Sequence, residues 1–509
     1  MLRNCEKTAL AALCVLVVVT SGRLAAQPAP LSGLDAYIEQ ALKEWEVPGL
    51  AVAVVRNDSV IFARGYGVRE QGGTAAVDEH TLFAIASTTK ALTTAALGML
   101  VDERRVRWDD PVATHMPGLV MQDPFISREL TVRDLLTHRA GLSRSDNLWI
   151  AAPFDRAEVL RRARYLPASG FRAGYGYNNI MYIAAGELVG AVSGMSWDDF
   201  IEQRIFRPLD MTRSTTRAAV VDTRVNVATS HTRADGRVVA MGRRNYDNIG
   251  GAGAAWSSAR DMAQWMRLHL SGGTREGQTL LQPATLRELH TPQTVIRSDS
   301  VAERMFPTTH FRAYGLGWSL QDYHGRKLVH HSGSINWTRT HVGLIPEEGI
   351  GVVAIANLST SSLQVAVMYR VLDALMNLPA RDWSAEYLEL ARRSEETSSR
   401  EARNVESSRV DGTIPSLALD AYTGIYTNPV YGEIRLALED GRLVLRYAPD
   451  YIADLEHWHH DTFRAVWQRT GFGRAFVTFT LDSRARAASL NLDGFGTFTR
   501  AEVVDPARQ

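Results

Sequence analysis

Cysteine is nearly absent from this sequence. Its 509 residues hold two, Cys5 and Cys14, both inside the first 14 positions. The rest of the chain can build no disulfide, no thiolate metal site and no cysteine nucleophile, so a conventional packed core must hold it together. Net charge is absent too, with 56 basic residues against 56 acidic ones. A chain without a basic field is not built to bind nucleic acid, and one without an acidic excess is not built for a polycation. Lysine is scarce: of the 56 basic residues only Lys7, Lys43, Lys90 and Lys327 are lysines. Arginine cannot yield its proton in a protein, whereas a buried lysine can be tuned into a base, which singles out Lys90. Long apolar runs are missing apart from Ala9 to Thr20, preceded by Arg3 and Lys7 and followed by Ser21-Gly22-Arg23-Leu24-Ala25-Ala26. That run is too short to span a bilayer and reads as a secretory leader over residues 1–26, implying a periplasmic or secreted protein with no membrane span after cleavage.

What remains is ordinary soluble composition, 45% apolar and 22% charged, with room for two or three domains. Apolar residues recur at helical spacing from Leu34 to Trp45. Pro48-Gly49 then leads into a strand, Leu50 to Val55, and Asn57-Asp58 turns it back as Val60 to Tyr66. Ala91 to Leu100 has too few polar positions to face water, so it reads as a central helix. Helices are expected over Leu130 to His138, Asn179 to Val192, Trp197 to Ile205 and from Ser258 to Leu270, with strands near Leu316–Leu320, Lys327–His331, Thr340–Ile345 and Gly351–Ala356 and a helix over Leu363–Met376. The order implies one sheet built from both ends of a domain over residues 33–378, with a helical insertion beside it. Gly250-Gly251-Ala252-Gly253 lacks the spacing and lysine of a phosphate loop. Residues 379–414 are charged and serine-rich and read as a helical linker. Residues 415–505 alternate in strand fashion around turns such as Asp440-Gly441, which implies a small antiparallel barrel or sandwich. His457-Trp458-His459-His460 within it is not read as a metal site, because consecutive strand residues face opposite ways.

The chemistry gathers at Ser87-Thr88-Thr89-Lys90. Residues three apart share a helix face, so the hydroxyl and the amine point the same way, with the nucleophile expected in the first turn of the helix, where the dipole favours developing negative charge. Such a nucleophile needs a second proton-handling group and an oxyanion hole. Tyr-x-Asn occurs at Tyr177-Asn178-Asn179, Tyr246-Asp247-Asn248 and Tyr426-Thr427-Asn428. The first precedes an apolar helix and is favoured, with Tyr246 as the fallback. His-x-Gly occurs at His331-Ser332-Gly333 and His341-Val342-Gly343, and the first sits at the end of an expected strand, where it can face a cleft.

In this order, Ser87-Thr88-Thr89-Lys90, Tyr177-Asn178-Asn179 and His331-Ser332-Gly333 resemble the three motifs of the penicillin-recognising serine hydrolases, specifically the class C β-lactamase, D-aminopeptidase and esterase group. Leu135-Leu136-Thr137-His138-Arg139-Ala140-Gly141-Leu142 and Tyr314-Gly315-Leu316-Gly317-Trp318 look like supporting segments of that group, and the C-terminal part resembles its lipocalin-like barrel. The resemblance implies an α+β fold, an antiparallel sheet flanked by helices with an all-helical subdomain. It implies Ser87 as the nucleophile of an acyl-enzyme, Lys90 and Tyr177 sharing the proton work with the base undecided between them, and Asn179, His331 and Gly333 as substrate-contacting residues. The backbone N–H groups of Ser87 and Ser334 would form the oxyanion hole, and no cofactor or metal is called for.

Two departures redirect the expectation. Class C β-lactamases carry a lysine where this chain has His331, and a histidine is mostly neutral at pH 7, so a carboxylate anchor is weakened. Asn336-Trp337 stands where relatives often have Pro-Gly. The expected function is therefore an exported serine hydrolase cleaving a peptide, amide or ester bond, foremost a peptidase of aminopeptidase or D-amino-acid type. A β-lactamase or carboxylesterase is the alternative, and a non-catalytic penicillin-binding sensor is a second.

Overall fold

The computed structural model describes residues 29–335, 337–469 and 472–502, so the expected leader and Asn336 lie outside the described residues. Helix α1, Leu34–Trp45, buries Leu34, Ile38, Ala41, Leu42 and Trp45 on one face, as its periodicity predicts. Strands β1 (Gly49–Arg56) and β2 (Ser59–Gly67) form the expected hairpin. Helices α2 (Thr89–Asp102), α3 (Val132–Leu136), α4 (Asn179–Ser193) and α5 (Ala259–Leu270) follow. The chain then lays down β3 (Thr294–Ile296), β4 (Arg312–Tyr314), β5 (Ser319–Tyr323), β6 (Arg326–Ile335), β7 (Thr338–Ile345) and β8 (Ile350–Ala356). Helix α6, Leu363–Leu375, closes the domain.

All eight strands make one antiparallel sheet in the order β2-β1-β8-β7-β6-β5-β4-β3. The two ends of the domain meet where β1 pairs with β8, Val52 opposite Ala354. Leu50, Val52 and Val54 pack towards α1 and α6, while Ala51, Ala53 and Val55 pack towards the helices of the middle segment. Burial on both faces explains why β1 reads as an unbroken apolar run. Helix α2 is buried from Thr89 to Leu100, the central position its composition requires. Among the described residues no single helix is long and apolar enough to cross a bilayer.

The structure corrects two expectations and adds two short strands. The strand expected from Leu316 starts at Ser319, because Gly317 (φ 80°) turns the chain over α2; a Cβ there would lie 2.6 Å from Thr94 Oγ1 and 3.0 Å from the Lys90 carbonyl oxygen. Strands β3 and β4 escape periodicity because each is three residues long. The helix from Trp197 ends at Ile201 and widens into a π-turn over Glu202–Phe206.

Within the expected linker, α7 (Trp383–Ser407) is one 25-residue helix. Its first turn is anchored by Trp45 Nε1 donating to Ser384 Oγ (3.0 Å) and Trp383 Nε1 donating to Asp373 (2.6 Å). Beyond it, eight strands between Gly424 and Arg500 close into a barrel, the first pairing with the last at Tyr426 and Arg500. The interior is filled by side chains including Tyr426, Ile434, Leu445, Phe463, Val477 and Phe498. The barrel leans on the first domain through Arg244–Asp450 (3.2 Å), Asn147 Nδ2 to the Gly494 carbonyl (2.8 Å) and Arg162 to the Pro429 carbonyl (2.9 Å).

Two buried histidine pairs lie in this framework, His269 with His290 (3.1 Å) and His330 with His341 across β6 and β7 (3.2 Å). Burial disfavours the charged imidazolium, pushing His269 down to about 3 and His341 to about 4, with His290 and His330 also well below the ordinary value. The unfolded chain takes up protons near the usual histidine value of about 6.5 and the folded one does not, so this stability is complete above that pH and is lost as pH falls. The melting temperature is expected to drop between pH ~6.5 and ~4.5, above the range in which most carboxylates titrate. A flat profile over that interval in calorimetry at fixed ionic strength would contradict it.

Candidate active site

The turn before α2 sets the site. Ile85 donates its N–H to the Ala255 carbonyl (3.0 Å), and Ala86 then takes a left-handed conformation, φ 51°. That conformation costs an alanine about 1–2 kcal/mol. The chain continues as a 3-10 turn, Ala86–Thr88, so Ser87 lies just ahead of α2 rather than inside its first turn. From the other side comes β6. Its Gly333 lies against this turn, where a Cβ would sit 2.3 Å from the Ile85 carbonyl oxygen and 3.1 Å from the Ala86 Cβ. Gly333 thus serves close packing of strand on turn. Gly333→Ala is expected to push β6 off Ser87 and lower kcat by on the order of 100-fold, as misplacements near 1 Å do. Parallel kcat and melting measurements would check this, and an alanine variant within threefold of wild type would rule the contact unimportant.

Lys90 is fully buried, 0% exposed. Its Nζ lies 2.8 Å from Asn179 Oδ1, 2.8 Å from the Ala252 carbonyl oxygen and 3.1 Å from Ser87 Oγ. Burial lowers its pKa well below the ordinary lysine value; Asp146 opposes that shift and Arg144 adds to it. A neutral amine has two N–H donors and one lone pair. Two of its neighbours are oxygens that can only accept, so the N–H groups go there and the lone pair is left for the Ser87 hydroxyl proton.

The orientation of Asn179 is set in turn by Asp146, whose Oδ1 accepts from Asn179 Nδ2 (2.9 Å) and Trp149 Nε1 (3.0 Å). Because a carboxylate only accepts, the amide nitrogen must face it and Oδ1 must face Lys90. The glycine-rich run brings Ala252 into place by packing between α2 and α4: a Cβ on Gly251 would lie 2.8 Å from the Tyr182 carbonyl and 2.9 Å from Thr93 Oγ1.

Tyr177 is the Tyr-x-Asn tyrosine at the site. Its ring lies 4.9 Å from Lys90 Nζ and 4.2 Å from the His138 ring. Burial raises the phenol pKa, against a hydrogen bond with Ser87 that lowers it. Asn178 caps α4 and donates its N–H to His138 Nδ1 (3.1 Å), which holds the loop carrying Tyr177. Tyr246 instead meets Trp149 and Arg244 beside the barrel, and Tyr426 is inside it.

His331 reaches the cleft, but both ring nitrogens are engaged in the fold: Nδ1 with the Ser332 carbonyl (2.6 Å) and Nε2 with Tyr314 OH (2.8 Å). A carbonyl only accepts, so Nδ1 carries the proton and Nε2 accepts from the tyrosine. Burial first, then Lys90, pushes the ring down to about 3, so it is neutral. His341 is taken up by the pair with His330. Ser334 is exposed to the cleft opposite Arg339 of β7. β5 pairs with β6 only as far as His330, which leaves the β6 edge beyond it open beside Ser87. The cleft encloses ≈ 380 Å³ and is lined by Ser87, Tyr177, Asn179, His331 and Ser334, among others. Arg144, Asp146 and Trp149 also belong to this neighbourhood and went unread in the sequence; Tyr314 belongs to it too, and the sequence offered it only within a supporting segment. Nothing in spacing links a loop at residues 144–149 to Asn179, and only the Tyr314-Gly315 context hinted at the last.

Comparison with known proteins bears on the family and the fold. The Beta-lactamase family matches residues 34–375, and a family described as a domain of unknown function (DUF3471) matches residues 408–506. Among curated proteins, the chain is similar to "Unguisins hydrolase ungD'" of Aspergillus campestris, 29% identical over 80% of this chain and 78% of that one. It is also similar to "Penicillin-binding protein 4" of Amycolatopsis lactamdurans, 27% identical over 62% of this chain and 82% of that one. Among solved structures, an octameric penicillin-binding protein homologue from Pyrococcus abyssi superimposes with a TM-score of 0.62 at 21% identity, covering 91% of this chain and 98% of that one.

Proposed function

The chain belongs to the β-lactamase family, and on that footing we propose that it cleaves a peptide or other amide bond, or an ester, through an acyl-enzyme on Ser87. The observation that carries the reading is the Lys90 amine, held by two carbonyl oxygens so that its lone pair is left for Ser87 Oγ. Ser87 Oγ attacks the substrate carbonyl carbon and its proton passes to Lys90 Nζ. The carbonyl becomes an oxyanion, held by the N–H groups of Ser87 and Ser334. The opposite pKa directions of Lys90 and Tyr177 divide the proton work: the lysine, lowered, is the base, and the tyrosine, raised, stays protonated and relays a proton to the leaving group. The C–N or C–O bond then breaks, the leaving group departs protonated, and water hydrolyses the ester to Ser87.

A neutral, internally bonded His331 gives a β-lactam carboxylate no fixed charge, which favours peptides and esters over β-lactams. The leader over residues 1–26 would deliver the enzyme outside the cytoplasm, and N-terminal sequencing of secreted protein starting at Gln27 would support that. Function itself is tested by offering D- and L-aminoacyl amides, short esters and a cephalosporin to the pure protein, with intact-mass detection of the adduct. Turnover of amides or esters with a transient adduct on Ser87 is expected. Faster cephalosporin turnover would make it a β-lactamase, and a stable β-lactam adduct with no turnover of anything would make it a sensor.

A further inference from the structure

The charged groups at the cleft are arranged in a way that restricts its substrate, given the hydrolase reading above. Lys90 is buried behind Ser87 and its positive form is disfavoured. His331 is neutral with both nitrogens bonded. Asp146 is the one carboxylate among the described residues lining the cleft. It is 17% exposed and engaged on both oxygens, Oδ1 by Asn179 and Trp149 and Oδ2 by Arg144 Nε (2.6 Å). Both lone pairs of Oδ1 are taken, and the Arg144 guanidinium on Oδ2 repels a substrate ammonium that would approach the remaining one.

Arg144 is the opposite case. Its side chain is 64% exposed at the cleft, and its guanidinium lies 5.4 Å from the Tyr177 ring centroid. Only its Nε has a partner among the described residues, so the two terminal nitrogens present four N–H donors. That edge matches the geometry of a carboxylate, and the Nε bond to Asp146 holds the fork in place.

We propose that Arg144 is a specificity residue that binds a carboxylate carried by the substrate near the scissile bond, and that the cleft disfavours substrates with a free amine there. The cation thus enters from the loop before Tyr177, not from β6. The preferred substrate is an N-blocked or acidic acyl compound, or one whose leaving group carries an acid, rather than the free N-terminus an aminopeptidase takes.

The test compares kcat/KM across matched substrates at fixed ionic strength: succinyl-alanine p-nitroanilide, its methoxysuccinyl counterpart with the acid capped, and alanyl-alanine p-nitroanilide, in D and L forms. A second pair places the acid on the leaving group, 5-amino-2-nitrobenzoate against its amide. Matched nitrophenyl esters replace the anilides if only esters are turned over. Wild type should favour the anionic member of at least one pair by roughly 10- to 100-fold, the range of a charge-assisted hydrogen-bond pair. The free-amine substrate should be the poorest. In Arg144→Gln the anionic-to-capped ratio should fall to about one, whatever the variant does to the capped substrate, and Arg144→Lys should restore part of it. The ratio is the readout because loss of support for Asp146 would slow both members alike. Equal rates within both wild-type pairs, a preference that survives in Arg144→Gln, or preferred cleavage of the free amine would each overturn the assignment while leaving the hydrolase reading intact. Absence of turnover and of any adduct on Ser87 would overturn both.

Discussion

Ser87→Ala is expected to remove turnover almost completely, by on the order of 10⁶ in kcat, as loss of a serine nucleophile does when base and oxyanion donors remain. The size follows from the placement of Ser87. The strained Ala86 delivers the hydroxyl to the mouth of the cleft, 3.1 Å from Lys90 and beside the open edge of β6. No other group among the cleft residues stands next to a base in this way. The fold should tolerate the change, because Lys90 keeps Asn179 Oδ1 and the Ala252 carbonyl oxygen as partners. Kinetics with the best substrate, together with intact mass after treatment with a fluorophosphonate, would check it. A variant that still takes the label, or keeps more than roughly 1% of wild-type kcat, would place the nucleophile elsewhere.

Lys90→Arg ranks second, with an expected loss of on the order of 10³ to 10⁴, the upper range for general base catalysis. A guanidinium stays charged at every working pH, so it cannot receive the Ser87 proton. Lys90→Met removes the base as well, but leaves Asn179 Oδ1 and the Ala252 carbonyl oxygen buried without a donor, at a cost of about 1–3 kcal/mol each. Melting curves must therefore accompany that variant. Wild type carries the matching signature in pH. Only the neutral amine is competent, so kcat/KM should rise with pH through the lowered Lys90 pKa and level off well below 10.5. An acid limb that keeps rising to an ordinary lysine value would mean that Lys90 is charged in the resting enzyme and would overturn its lowered pKa.

Much of the fold was legible because its segments are strongly periodic or uniformly apolar. Leu34–Trp45, Leu50–Val55 and Ala91–Leu100 each carry a burial pattern that local sequence alone expresses. The strands that escaped, Thr294–Ile296 and Arg312–Tyr314, are too short to show a period; the second exists because β5 offers it an edge, and the first because the second does in turn. In the site, Ser87, Lys90 and Tyr177 stood out through motif spacing and the rarity of lysine. Asp146 and Arg144 did not, since their importance comes from a loop folding back onto Asn179 from 33 residues upstream.

The sequence by itself therefore determined which residue types could do the chemistry: a serine and a tunable lysine three positions apart, a tyrosine ahead of an apolar helix, and no thiol after Cys14 to compete with them. Only the tertiary structure decided their protonation. Desolvation of the buried Lys90 favours the neutral amine, and desolvation of His331 favours the neutral ring against the pull of the Ser332 carbonyl. Desolvation and hydrogen-bond partners belong to packing, and packing brings together residues that the chain keeps far apart.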